Sequence, residues 1–201
     1  MPSSSLRPSE RVNLTQADIL LVDANPDSLR ILVEMLAGFG VHEPHCCSSA
    51  AEAMAFLSTR IAHLVLIDAA LPEMDGYELV KRLRWSGAPE MSQVPVILLC
   101  GHTRPSDIDR ARDCGANFVV RKPAIPLVLL QRIMWVSKET RPFVEAPNYR
   151  GPCRRVRALG PPVGMKGRRK DDLSLDVGNA STPNLDQSEI DNLFQPKRAA
   201  L

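Results

Sequence analysis

No apolar run in this 201-residue sequence approaches the roughly 18 residues of a membrane-spanning helix. The first residues, Met-Pro-Ser-Ser-Ser, lack the apolar core of a signal peptide, so the expectation is a cytoplasmic protein. Cysteines are few and odd in number. Cys46, Cys47, Cys100, Cys114 and Cys153 show no metal-type spacing and read as reduced, mostly buried thiols. His42, His45, His63 and His102 show no ligand spacing either, and only His102 falls near a loop that later matters. Beyond residue 138 there is no helix-turn-helix pattern and no catalytic domain, so the expectation is a protein without turnover of its own.

What is present is unevenly distributed. Residues 15–138 carry nearly all the Leu, Ile, Val and Met, while residues 139–201 are rich in Pro, Gly, Arg and Asp. The net charge of +2 hides an asymmetry. Residues 141–170 hold nine basic and one acidic side chain, and residues 171–195 hold six acidic and no basic ones. A basic block followed by an acidic one outside the apolar region reads as an interaction tail. The expected organisation is a polar disordered leader over 1–14 and a folded domain over 15–138. An arginine-rich, largely disordered tail over 139–180 and an acidic amphipathic segment over 181–201 follow.

The folded region is organised around Leu64-Val-Leu-Ile-Asp68, an apolar run ending on a carboxylate. Such runs predict buried strands of a parallel sheet. Similar runs end at Asp23 (from Asp18), at Cys100 (from Val94) and at Val120 (from Phe118), with a weaker one over Val41–Cys47. Helical spacing predicts helices between them. One starts at Asn25-Pro26-Asp27, one is capped by Ser48 or Ser49, and others span Asp75–Trp85, Asp107–Cys114 and Ile125–Val136. The alternation predicts an α/β fold, a flavodoxin-like doubly wound five-stranded parallel sheet. Asp23, Asp68, Cys100 and Lys122-Pro123 then converge at the carboxyl edge of the sheet, where ligand chemistry sits in such folds.

These motifs, in this order, resemble the receiver domain of bacterial two-component response regulators. The matching stretches are Ile19-Leu-Leu-Val-Asp23, Leu66-Ile-Asp68, Leu71-Pro72-x-Met-Asp-Gly76, Pro95-Val-Ile-Leu98, Gly115-Ala116 and Lys122-Pro123. The resemblance implies that Asp68 is the phosphoacceptor, that Lys122 contacts the phosphoryl group, and that a histidine kinase or phosphotransfer protein is the donor. It also implies a Mg²⁺ site at Asp23 and Asp68 and a cis Lys122–Pro123 bond. The chemistry is consistent: a carboxylate can form an aspartyl phosphate, Mg²⁺ neutralises charge, and an ammonium suits a phosphoryl oxygen. Three positions depart from the family pattern. Ala24 stands where a second acid is usual, Cys100 where a hydroxyl is usual, and Val119 where an aromatic switch is common, with Phe118 adjacent. A weakened metal site and a poor thiol donor leave two readings open: a phosphorylated receiver, or a phosphate-insensitive pseudo-receiver scaffold.

The tail carries Tyr149-Arg150-Gly-Pro-Cys-Arg154-Arg155-Val-Arg157 and Gly164-Met-Lys-Gly-Arg168-Arg169-Lys-Asp171-Asp172. One reading is a solvated basic linker, or nonspecific attraction to nucleic acid or an anionic membrane. The other uses arginine's ability to stack on a base and bond guanine in bidentate fashion, with an aspartate on the amino edge and Tyr149 as a stacking face. This pattern resembles the arginine-rich extension of the Cle-type CheY-like regulators of alphaproteobacteria. That resemblance implies cyclic di-GMP as ligand, the flagellar motor as partner, and recruitment to the motor or cell pole. Finally, Asp186-Gln-Ser-Glu-Ile190-Asp-Asn-Leu193-Phe194 resembles the peptide with which the flagellar switch protein FliM docks on chemotaxis receivers. Ile190, Leu193 and Phe194 share one helical face there, suited to docking on this or another receiver.

Overall fold

The computed structural model describes residues 14–139, 141–154 and 184–194. Five parallel strands form the central sheet: β1 (Ile19–Val22), β2 (His45–Cys47), β3 (Leu64–Asp68), β4 (Val96–Cys100) and β5 (Phe118–Arg121), in the order β2-β1-β3-β4-β5. The helices packed around it are α1 (Pro26–Gly38), α2 (Ala50–Thr59), α3 (Gly76–Arg84), α4 (Pro89–Ser92), α5 (Pro105–Cys114) and α6 (Pro126–Ser137). Every residue of β1, β3 and β4 is buried, which is why these strands are continuous apolar runs. The doubly wound five-stranded sheet is therefore as the sequence pattern implies. Because β1 lies between β2 and β3, the winding reverses there. The crevice between the carboxyl ends of β1 and β3 is the topological switch point.

Local signals set the helix starts. The Asn25 carboxamide accepts from the Asp27 and Ser28 amides ahead of Pro26, and Asp75 caps α3 by accepting from Glu78. Several boundaries differ from the periodicity. β2 begins at His45, beyond Pro44, whose missing N–H cannot serve a ladder. β4 begins at Val96, after Pro95, and the short helix α4 precedes it. α5 begins at Pro105 rather than Asp107, because Pro is suited to a first helical position.

The larger correction lies in the tail. Residues 139–180 were expected to lack order, yet β6 (Phe143–Ala146) and β7 (Tyr149–Pro152) form an antiparallel hairpin. An isolated hairpin is marginal in water, so docking must order it. Arg84 supplies the anchor. It is 1% exposed, and its guanidinium donates to the carbonyls of Ser92, Val94 and Gly115 and to Asn117 Oδ1, at 2.7–3.0 Å. Phe143 lies over that guanidinium, 5.7 Å from ring centroid to its carbon. Burial without a carboxylate partner pushes the Arg84 pKa down to about 10. The approach is also close. A Cβ on Gly151, at φ +153°, would lie 2.8 Å from the Gly115 Cα and from the Tyr149 hydroxyl. Tyr149 is buried, and its hydroxyl donates to the Pro152 carbonyl at 2.6 Å. No apolar run announces this hairpin, because its fit depends on Gly115 and Arg84, distant in sequence.

Replacing Arg84 with Met would leave three backbone carbonyls without its guanidinium donor, while Asn117 Oδ1 keeps the Val96 amide. Each buried unpaired group costs about 1–3 kcal/mol, so Arg84→Met should lower unfolding stability by at least about 3 kcal/mol, read by urea denaturation.

Candidate functional site

Asp23 follows β1, Asp68 ends β3 and Lys122 follows β5, so three separate strands deliver one cluster. The Lys122 ammonium lies 2.7 Å from Asp23 Oδ2 and 2.9 Å from Asp68 Oδ2. The Lys122–Pro123 peptide is cis. Asp23 is 1% exposed; its Oδ1 accepts from the Asn25 amide at 2.9 Å and its Oδ2 from the Ser28 hydroxyl at 2.5 Å. Asp68 is less enclosed, and its Oδ1 accepts only a long bond, 3.3 Å, from the Ala70 amide. Gly76 keeps the β3–α3 connection tight, since a Cβ there would sit 2.3 Å from the Asp68 carbonyl oxygen.

The electrostatics follow from this packing. Burial works to raise the Asp23 pKa, but hydrogen bonds from Lys122, Ser28 and the Asn25 amide outweigh it and hold the carboxyl below its ordinary range. Burial likewise works to lower the Lys122 pKa, and its bonds to Asp23 and Asp68 leave it raised. Asp23 therefore supports the fold above the ordinary carboxylate range, and that support fades as pH falls through its lowered pKa. Lys122 contributes below the ordinary lysine range and fades as pH rises through its raised pKa. Asp23 and Lys122 therefore hold opposite charges across neutral pH.

Cys100 ends β4 beside this cluster, 1% exposed. Burial pushes its thiol pKa up to about 11, so it is a neutral thiol here. Cys114 is buried as well, and its pKa is pushed up to about 12. Two residues at the site escaped the sequence reading. Ser28 is one helical turn into α1, where only the fold brings its hydroxyl back onto Asp23. Tyr77 is buried at the start of α3, its hydroxyl 3.5 Å from the Cys100 sulfur. The Arg110 guanidinium stacks 4.5 Å from the Tyr77 centroid and pairs with Asp75. An aromatic directly after Asp75-Gly76 was the available signal for Tyr77.

The tail residues separate into two groups. Arg155, Arg157, Arg168, Arg169, Asp171 and Asp172 lie outside the described residues. Arg150 and Arg154 are described, and both stack on aromatics of the chain itself. Arg150 lies 4.5 Å from the Trp85 centroid, and Arg154 lies 4.1 Å from the Tyr149 centroid while pairing with Asp113. Tyr149, expected as an open stacking face for a base, is instead a buried hairpin residue covered by Arg154. Its hydroxyl pKa is pushed up to about 12 by burial. Ile190, Leu193 and Phe194 sit on α7 (Gln187–Phe194), which packs on β5; Ile190 and Phe194 are buried and Leu193 partly so. His102 is exposed, and among the described residues no three His, Cys, Asp or Glu side chains gather as a metal cage.

Removing the cation leaves two carboxylates facing each other. In Lys122→Met the Asp23 carboxyl should titrate at a higher pH than in the unaltered chain, followed by carboxyl carbon NMR.

A family model for the response regulator receiver domain matches residues 19–134. A 14.6 kDa protein of Leptolyngbya boryana, encoded in the sodA1 3' region and uncharacterised, is 36% identical over 120 residues, covering 60% of this chain and 89% of that protein. A probable cyclic di-GMP phosphodiesterase of Vibrio cholerae is 33% identical over 117 residues, which span 58% of this chain but only 26% of that enzyme. Among solved structures, a signal receiver domain of a histidine kinase from Syntrophus aciditrophicus is 29% identical, with a TM-score of 0.55 over 65% of this chain and 98% of that one. The chemotaxis protein CheY4 of Vibrio cholerae is 25% identical, with a TM-score of 0.55 over 60% of this chain and 98% of that one. No helix among the described residues is long and apolar enough to cross a membrane. With the family match covering more than half of its length, the chain belongs to the receiver domain family and is a receiver-domain response regulator of two-component signalling.

Proposed function

We propose that Asp68 accepts a phosphoryl group from a histidine kinase or phosphotransfer protein, and that the arginine-rich tail binds cyclic di-GMP. The two inputs together set how the chain engages a partner such as the flagellar motor switch, to which it is recruited at the motor or cell pole. The observation that carries the first part is the Lys122 ammonium held between Asp23 and Asp68 by bonds of 2.7 and 2.9 Å.

In this reading a carboxylate oxygen of Asp68 attacks the phosphorus of a phosphohistidine. The new O–P bond forms as the P–N bond breaks, and the imidazole leaves with the bonding pair and takes a proton from solvent. Asp68 suits the role because its Oδ1 is weakly engaged, whereas Asp23 is saturated by Asn25, Ser28 and Lys122. Lys122 turns from Asp23 toward the new phosphoryl oxygens as a point charge. Two carboxylates fit a Mg²⁺ ion that keeps several waters and takes a phosphoryl oxygen; Asp23 and Asp68 would hold it, and it would neutralise charge there. Cys100 stands where a hydroxyl would donate more strongly.

The test is a beryllofluoride titration with Mg²⁺, read by NMR at neighbours of Asp68. Saturable shifts that vanish in Asp68→Asn are expected; their absence in the unaltered chain overturns the phosphoacceptor reading in favour of a pseudo-receiver scaffold. Cys100→Thr should tighten the beryllofluoride response by about fivefold, the effect of one added hydrogen bond of about 1 kcal/mol.

For the second input, the support is the run of arginines itself, together with Arg150 and Arg154, whose guanidinium groups already lie over aromatic rings, Arg154 also pairing with Asp113. Calorimetry of the full chain with cyclic di-GMP should show micromolar binding, lost when Arg154, Arg155, Arg168 and Arg169 are changed to Ala. Binding of nucleic acid with a steep salt dependence, and no response to the dinucleotide, overturns this part.

A further inference from the structure

β5 is an edge strand of the central sheet, and its outer edge is covered by α7. An eight-residue helix is marginal alone, so its order comes from a cap and from what it packs on. The cap is reciprocal: the Glu189 amide donates to Asp186 Oδ1 at 2.8 Å, and the Asp186 amide donates to Glu189 Oε2 at 2.9 Å. The packing is specific along the helix. Ile190 is fully buried, and the Phe194 ring lies 5.1 Å from Phe118, which in turn meets Trp135 edge-on at 5.2 Å. Asp191 pairs with Arg132 of α6, whose guanidinium also lies 4.9 Å from the Phe118 centroid. Gln187 acts as a substitute strand. Its side-chain oxygen accepts from the Arg121 amide at 2.9 Å, and its nitrogen donates to the Val119 carbonyl at 3.2 Å.

The entry to α7 reaches the loop after β4. The Leu185 amide donates to the Thr103 carbonyl at 2.7 Å, and the Thr103 hydroxyl donates to the Leu185 carbonyl at 2.6 Å. The Thr103 amide donates to Asn184 Oδ1 at 3.2 Å. Thr103 itself is fully buried. The first turn of α7 thus grips two backbone segments. One begins at Cys100 and the other ends at Lys122, and these two residues flank Asp68.

We propose that α7 is a latch: a ligand carried by the chain for a helix-binding face made of β5, α6 and the β4–α5 loop. Its hold on Thr103 and Arg121 couples its release to the charge at Asp68. The partner that fits the vacated face is an acidic amphipathic helix of the same pattern, with a glutamine in its first turn followed by isoleucine, aspartate and phenylalanine. The positive charge of Arg132 and the apolar surface at Phe118 and Trp135 select those features. The coupling rests on the phosphoacceptor reading; the docking does not. A phosphoryl group on Asp68 draws Lys122 away from Asp23, and the backbone that moves with Lys122 includes the Arg121 amide to which Gln187 is bonded. By reciprocity, opening the latch alters the affinity of the Asp68 site by the same factor. Because α7 is tethered, a free helix must displace an intramolecular competitor.

The test uses a labelled peptide of residues 184–194 and full-length chains. In Ile190→Glu the tethered helix cannot seat, and the peptide should bind this chain about tenfold or more tightly than the unaltered one, the advantage of tethering removed. The milder Gln187→Ala/Asp191→Ala chain should show the same direction, which guards against misfolding of the first variant. Equal peptide affinity for variant and unaltered chains, or no binding to either variant, overturns the latch. So does a concentration-dependent dimer of the unaltered chain, which would place α7 on a second copy. Adding Mg²⁺ and beryllofluoride to the unaltered chain should raise its peptide affinity by about fivefold or more, within the usual range of coupling between sites. Unchanged affinity with beryllofluoride bound overturns the coupling alone. Failure of beryllofluoride to bind overturns the phosphoacceptor reading and the coupling together, while the peptide affinities still decide the docking.

Discussion

One ammonium between two carboxylates is the interaction on which the site depends. Asp23 and Asp68 project from neighbouring strands into the crevice where the winding reverses, and without Lys122 they would repel across it. The lysine comes from β5, two strands from β3 and three from β1, with a cis bond to Pro123 following it. The charge arrangement therefore ties the relative position of three strands to the chemistry of one group. Lys122 is the group through which the charge at Asp68 meets the end of β5.

That strand end is also where the chain adds something to the plain receiver architecture. β5 lies at the sheet edge, and Gln187 bonds its outer edge through a side chain. At the amino ends of β4 and β5, Arg84 and Asn117 tie α3, α4 and both strands together, and the hairpin β6–β7 rests on that tie. Two appended segments thus occupy different places on one sheet. The hairpin sits against the structural end, with Arg150 and Arg154 stacked on its surroundings. α7 sits against the signalling end, in contact with the loops that frame Asp68. The hairpin and the short amphipathic helix are in this way placed at different ends of the sheet.

The departures from the family pattern take on physical content in this setting. Ala24 leaves Asp23 as the single acid after β1, and that acid is taken up by Ser28, Asn25 and Lys122. Cys100 faces the Tyr77 hydroxyl, so a buried thiol and a buried phenol share the place where a hydroxyl would otherwise stand free. Val119 carries no ring to swing, but its carbonyl is a bonding point for α7. At β5 the chain is contacted through backbone groups, the Val119 carbonyl and the Arg121 amide.

By itself the sequence determined the alternation of strands and helices, the doubly wound five-stranded sheet, and the convergence of Asp23, Asp68, Cys100 and Lys122 at its carboxyl edge. It could do so because buried strands must be apolar runs, because Asn25, Ser49 and Asp75 cap helices through local bonds, and because right-handed crossovers leave few topologies. Strand starts moved where Pro44 and Pro95 lack a donor, a local effect that periodicity does not weigh. Only the tertiary structure decided the rest. The hairpin exists because Gly151 can approach Gly115 and because Arg84 lies beneath it, both contacts between residues far apart in the chain. Ser28 and Tyr77 belong to the site for the same reason. The amphipathic pattern of Ile190, Leu193 and Phe194 was plain in the sequence. Which face receives it was not, because the choice rests on Arg132, Phe118 and the open edge of β5, which become one surface only when the chain has folded.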